Sequence, residues 1–241
     1  MKDRAIDEIL KKKAPALRPV DSALFDRVSS AVQSCMQPVR PLPPSWLLAG
    51  GLILSCASVA LAGAARAGFF GVEKLSEIQR AAIFSSLGIF IVLAALACVS
   101  AMIPGSRSRV SPEALLGAGS VALLAVFAIL FHDYHTNHFV HAGVVCLVTG
   151  LVHAVPAAAL CWAVLRRGFA VDSIAAGLAG GTLAGLAGVT LLELHCINLQ
   201  ALHILVWHTA VVPVAGIAGA LLARSLRNRA DSGSRTRAAG Q

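Results

Sequence analysis

The sequence predicts an all-α polytopic membrane protein: six transmembrane helices behind a short cytoplasmic N-terminal segment. Three observations lead there. Of 241 residues, 57% are hydrophobic and only 13% charged, where a soluble domain carries roughly 25% charged residues. The apolar residues are gathered into long runs, each close to the about 20 residues that a helix needs to cross a hydrocarbon core about 30 Å thick. The runs are rich in Leu, Ala and Gly and lack the alternation of a transmembrane strand. In lipid the backbone must bond to itself, which a helix does within one segment.

Residues 1–45 form the cytoplasmic segment. Asp3 to Lys13 fits a short helix with Ile6, Ile9 and Leu10 on one face, interrupted by Pro15 and Pro19. A second helix is expected after Asp21, a plausible N-cap. In it Leu24, Phe25, Val28, Val32 and Met36 recur at helical spacing. The stretch QPVRPLPPS that follows is a stiff, extended spacer. So small a segment has too little core to fold strongly alone. Its apolar stripe either orders on a partner or lies on the membrane surface or the loops.

The six spans are Trp46 to Ala65, Ala81 to Ile103, Ala114 to Phe131, Ala142 to Leu165, Ile174 to Leu192 and Ile204 to Ala223. They make up a transmembrane domain over residues 46–223. The first starts behind a charged segment, so no cleaved leader is expected. In the fifth, Gly177, Gly181 and Gly185 recur on one face, a spacing that lets helix backbones approach closely. Pro156 and Pro213 are expected to kink the fourth and sixth. Residues 224–241 form a basic tail, expected to be cytoplasmic and disordered.

The net charge of +8 follows this threading. Every Lys and Arg except Arg66, Lys74 and Arg80 falls on one side of the six spans. The positive-inside rule makes that side cytoplasmic, with both termini there. The charge is thus explained by topology, and no direct contact with nucleic acid is expected. The bilayer itself is a partner.

Histidine concentrates on the opposite side, with two of the six cysteines, Cys146 and Cys196. FHDYHTNHFVH, between the third and fourth spans, carries His132, His135, His138 and His141. The loop between the fifth and sixth carries His195, Cys196 and His203, and His208 lies about a turn into the sixth span. Cys146 sits near the outer end of the fourth span, with His153 two turns below on the same face. Imidazole and thiolate suit zinc and copper. The candidate metal ligands are therefore His132, His135, His138, His141, His195, Cys146 and Cys196, with Asp133 and Glu193 as supporting groups. Cys146 and Cys196 are candidates for a disulfide, a shared metal or two separately packed thiols. Cys56, Cys98 and Cys161 read as small core hydrophobes, and Cys35 as a reduced cytoplasmic thiol. There is no CxxC, no HExxH, no nucleophilic triad, no phosphate loop and no dinucleotide fingerprint. No catalytic residue is assigned and no enzyme is expected.

Four stretches carry a family resemblance. They are MQPVRPLPPSW before the first span, IPGSRSR after the second, CLVTGLVHAVPAAALCWAVLRRG in the fourth, and GLAGGTLAGLAGVTLLELHCINLQALHILVWH across the fifth and sixth. In order and spacing they resemble the NrsF family of six-helix membrane anti-sigma factors, over nearly all of residues 38–228. The chain departs from the family pattern in three places: HCINLQ follows the fifth span, Trp207-His208 stands where the family often has Trp-Tyr, and the four-histidine loop is not a family hallmark. The resemblance implies a bacterial inner-membrane protein that sequesters an extracytoplasmic-function (ECF) type sigma factor. It also implies that Cys146 and Cys196 are sensory thiols answering heavy metal or oxidant. The partner-binding candidates are then Leu24, Phe25, Val28 and Val32. No resident cofactor is expected, and Zn or another heavy-metal ion would enter as the signal. The alternative is a metal-handling or metal-transport protein fed by the outer His/Cys cluster, although the spans carry few polar groups for a pathway. A quinone-linked thiol oxidase is disfavoured because it would use cysteines paired closely in sequence.

Overall fold

A computed structural model describes residues 22–35, 43–103, 110–136, 138–166 and 172–239, with no side-chain description for residue 35 or residues 229–239. Two compact units are present, Met1–Pro41 and Leu42–Gln241.

In the first unit, α1 (Ser22–Cys35) is the helix expected from the apolar spacing. Leu24, Phe25, Val28 and Val32 lie on it and are exposed. The expected helix at Asp3–Lys13, the cap at Asp21 and Met36 lie outside the described residues, as does most of the proline-rich spacer.

The second unit is helical throughout, with no strand among the described residues. Its elements are α2 (Ser45–Ala67), the short α3 (Phe70–Lys74), α4 (Glu77–Met102), α5 (Pro112–Leu130), α6 (Phe139–Leu165) and α7 (Ser173–His195). Then α8 (Ala201–His203) runs through a π-helical turn, Ile204–His208, into α9 (Thr209–Ala239). Six helices are long and apolar enough to cross a membrane, the sixth being the stretch from Ala201 to Asn228. Short polar residues start several of them. Ser76 and Gln79 form a reciprocal capping box on α4. Ser111 caps α5 ahead of Pro112. The Asp172 carboxylate accepts from the Ile174 and Ala175 backbone N–H groups at the start of α7. Pro156 and Pro213 sit inside continuous helices. The basic tail, expected to be disordered, continues α9 to Ala239. It holds Ala, Leu and Arg, good helix formers that prolong a helix already nucleated in the bundle.

α7 is the central helix, with nearly every residue from Ala176 to Leu194 buried. The glycine face read from the sequence is what allows this. A Cβ at Gly181 would stand 2.3 Å from the Ala215 carbonyl oxygen, and one at Gly177 would stand 2.5 Å from that of Gly219. Farther along the same face, a Cβ at Gly188 would stand 2.5 Å from the Gly150 carbonyl oxygen. So α7 meets α9 and α6 backbone to backbone. Gly181→Ile is expected to force α7 and α9 apart and to destabilise the bundle by about 1–3 kcal/mol or more. A thermal unfolding midpoint in detergent equal to that of the parent would contradict this packing.

The α2–α4 connection, the α5–α6 loop and the α7–α8 loop meet at one end of the bundle. The Ala201 backbone N–H donates to the Asp133 carbonyl at 2.6 Å, and the His195 ring Nδ1 lies 3.1 Å from the Gly68 carbonyl. α3 presses on the end of α7 through Gly71, where a Cβ would stand 2.7 Å from the Cys196 carbonyl oxygen.

Candidate functional site

A thiol–imidazole cluster lies at this end of the bundle. α6 supplies Cys146. Because α6 begins at Phe139, Cys146 lies about 10 Å along the axis from its start, inside the bundle. Gly143, one turn earlier, leaves room for Trp207, since a Cβ there would stand 2.0 Å from the indole Nε1. Phe139 flanks the same indole at 5.6 Å between ring centroids.

α7 supplies Cys196, its C-cap residue, and Glu193. The two are three positions apart, so both face the same way as the helix ends. The Cys146 and Cys196 sulfurs are 3.5 Å apart, and both residues are free thiols.

The sixth crossing supplies His203 and His208. Five positions on a regular α-helix correspond to about 140° of rotation, which would put the two rings on different faces. The π turn between them, in which the Thr209 N–H donates to the Ile204 carbonyl, winds by i→i+5 bonds and brings residues five apart nearly into line. The rings accordingly meet edge to face with centroids 5.3 Å apart. The His203 Nε2 is 3.6 Å from the Cys196 sulfur. The His208 Nδ1 is 2.6 Å from the Glu193 Oε1, and both side chains are 1% exposed. A carboxylate in an apolar bundle is costly unless paired, and the imidazole N–H is its partner. That bond leaves the His208 Nε2 buried with no hydrogen-bond partner, as is the His203 Nδ1.

Among the described residues, Cys146, Cys196, His203 and His208 form a group whose ligand atoms all lie within 4.8 Å of one another. Such a set can coordinate a soft or borderline cation, and its two sulfurs can join as a disulfide after closing by about 1.5 Å.

Cys146 and Cys196, separated by fifty positions, are thus brought together. The other metal-ligand candidates are not part of this group. His132, His135, His138 and His141 are exposed. His138 starts α6 in the left-handed region, with φ of 54°. His135 bonds to the Asp133 carboxylate through its ring and its backbone N–H. Those bonds hold the Asp133 carboxyl below its ordinary pKa, but so exposed a pair adds little stability. His195 turns to Gly68 and lies against Phe70, 6.1 Å between ring centroids. In their place the fold recruits His203 and His208, with Glu193 behind. Both histidines were visible at the edge of the loop, but a spacing of five gives no helical-face signal. Cys56, Cys98 and Cys161 are buried in the core, as their apolar neighbours suggested.

A family model described as NrsF, negative regulator of sigma F, matches residues 34–227. No curated protein and no solved structure matches the chain.

Proposed function

The chain belongs to the NrsF family of negative regulators of sigma F, and we propose that it holds an ECF-type sigma factor at its cytoplasmic N-terminal segment and frees it when Cys146 and Cys196 meet heavy metal or oxidant. The family is one of regulators, the six apolar helices make the protein a multi-pass membrane protein, and a sigma factor is the partner the family description implies. The finer reading is a bacterial inner-membrane protein with no enzymatic activity. The observation that carries the sensing half is the 3.5 Å approach of two thiols from distant helices at one end of the bundle.

Orientation follows from charge. The cluster side of the bundle holds only Arg66, Lys74 and Arg80 of the basic residues, so the cluster faces outward and both termini face the cytoplasm. α7 joins the cluster to the rest of the bundle. It carries Glu193 and Cys196 at the cluster end, and it packs glycine against backbone along its length. Interfaces that close are repacked in discrete steps rather than bent continuously. A ligand shifts the balance of two states only by binding them differently, and a thiol pair that meets in one state and parts in the other provides that difference. In the oxidant branch, a peroxide takes two electrons and two protons from the thiols. The S–S bond forms, the O–O bond breaks, and the oxygens leave as water or alcohol.

The test is co-purification. The full-length tagged chain, extracted from membranes of its native host, is expected to bring down a sigma factor, which Cd2+ or peroxide added to the washed complex discharges. A preparation with no sigma factor, or one that neither agent discharges, would refute the proposal.

A further inference from the structure

We propose that Cys146, Cys196, His203 and His208 form one tetrahedral site for a zinc-class divalent cation, Zn2+ or Cd2+, with Glu193 as the positioning residue behind His208. The assignment deepens the sensing reading and rests on it only for what binding does to the partner.

The donor set comes first. Two thiolates and two imidazoles in tetrahedral array are the ligands of zinc-type sites, whereas oxygen-rich sets suit magnesium and calcium. Two thiolates also cancel the charge of a divalent ion, which matters in a half-dry bundle end. Binding releases the two thiol protons to solvent, while the histidines coordinate as neutral rings.

The geometry agrees with the donors. With Zn–S near 2.3 Å and Zn–N near 2.0–2.1 Å, the edges of a tetrahedron are about 3.8 Å between sulfurs and about 3.5 Å between sulfur and nitrogen. Here the sulfurs are 3.5 Å apart and the Cys196 sulfur is 3.6 Å from the His203 Nε2. The four donors already lie within 4.8 Å of one another. A disulfide requires the sulfurs to move together, whereas a cation bridges them nearly where they stand.

An unpartnered buried atom faces the same site. His208 is 1% exposed, and its Nε2 makes no hydrogen bond. Its other nitrogen donates to Glu193. With a cation bound, that pairing keeps the proton on Nδ1 and leaves the Nε2 lone pair for the ion, and it raises the ring's strength as a ligand. This is the carboxylate–histidine arrangement found behind bound zinc. A histidine present only to fill space would not need a buried carboxylate. The π turn is the local device that brings the second imidazole round to the sulfurs, and such turns occur frequently at functional sites.

A cation held this way ties α6, the end of α7 and the start of the sixth crossing together. It therefore favours the arrangement in which all four donors converge. It also competes with peroxide for the same sulfur electron pairs, so a chain loaded with metal resists disulfide formation.

The experiment uses the full-length chain in lipid nanodiscs under reducing conditions, with Co2+ as the spectroscopic probe and Zn2+ and Cd2+ as competitors. Wild type is expected to bind one equivalent, with the d–d bands of a tetrahedral ion and a thiolate charge-transfer band, both removed by Zn2+ or Cd2+. Glu193→Gln should weaken binding by about 10–100-fold with the bands retained. His203→Ala and His208→Ala should lose the tetrahedral bands. His208→Cys, which keeps a ligand and guards against a merely misfolded variant, should restore them with stronger charge transfer. Tetrahedral bands and affinity unchanged in both alanine variants, or an octahedral spectrum in wild type, would overturn the four-ligand site. These outcomes are read without the sigma factor. If the histidines prove to be ligands while cysteine variants still release the partner normally, the sensing reading fails and the metal site stands. If cysteine variants lose release but both alanine variants bind as wild type, the reverse holds.

Discussion

Replacing either Cys146 or Cys196 with Ser is expected to leave the sigma factor held and to abolish its release. The effect should be near complete for oxidant, which needs both sulfurs, and large for metal, whose site loses one of its two thiolates. A serine hydroxyl forms no disulfide and, unlike a thiolate, is a poor ligand for zinc-class ions. The substitution is also nearly isosteric. Cys146 is only half-buried and Cys196 caps a helix already packed by Leu191 and Leu192, so the bundle and the repressed state should persist. The measurement is transcription from a promoter of the bound sigma factor, before and after Cd2+ or peroxide. Both variants should start at the wild-type basal level and stay there. Normal induction in both would remove the thiols from the mechanism. A raised basal level would mean that the sulfurs hold the repressed state together.

The opposite phenotype is expected from changes in the N-terminal segment. Deleting residues 1–37, or changing Phe25 and Val28 together to Asp, should release the partner constitutively. On α1, Leu24, Phe25, Val28 and Val32 are 54%, 66%, 54% and 54% exposed. An apolar helical stripe can dock in a groove on a partner, and the proposed function places that contact here. Full burial of such a side chain stabilises by about 1.5–3 kcal/mol. Removing two that are already partly covered forfeits on the order of 2–4 kcal/mol, a factor of about 30 to 1,000 in affinity, before the cost of burying two charges. The target promoter should then be active without metal or oxidant, while the membrane domain still reaches the bilayer. A promoter that stays silent after the deletion would assign the partner contact to another part of the chain.

The helical architecture was legible because a spanning helix announces itself locally. Its length, its apolar run and its start residues, such as Ser76, Ser111 and Asp172, all lie within one segment. The glycine face of α7 was legible for the same reason, and close approach to α9 is what it delivers. The candidate site was only half legible. Four histidines at short intervals drew attention to the loop from Phe131 to His141, yet those side chains face solvent. His203 and His208 were the ones enlisted, and Glu193 became the partner of His208 rather than a solvated end group.

The sequence by itself determined that this chain is a helical membrane protein and that its imidazoles gather toward one end, with Cys146 and Cys196 beside them. Both properties depend on composition and order within short windows, which hydrophobicity and charge read directly. Only the tertiary structure decided which sulfur meets which ring. Cys146 and Cys196 meet because α7 passes through the middle of the bundle beside α6. The two rings meet because a π turn changes the winding at Ile204–His208. The reason is physical: ligand geometry at the scale of one ion is set by long-range packing and by a local departure from 3.6-residue periodicity, and neither leaves a repeat in the sequence.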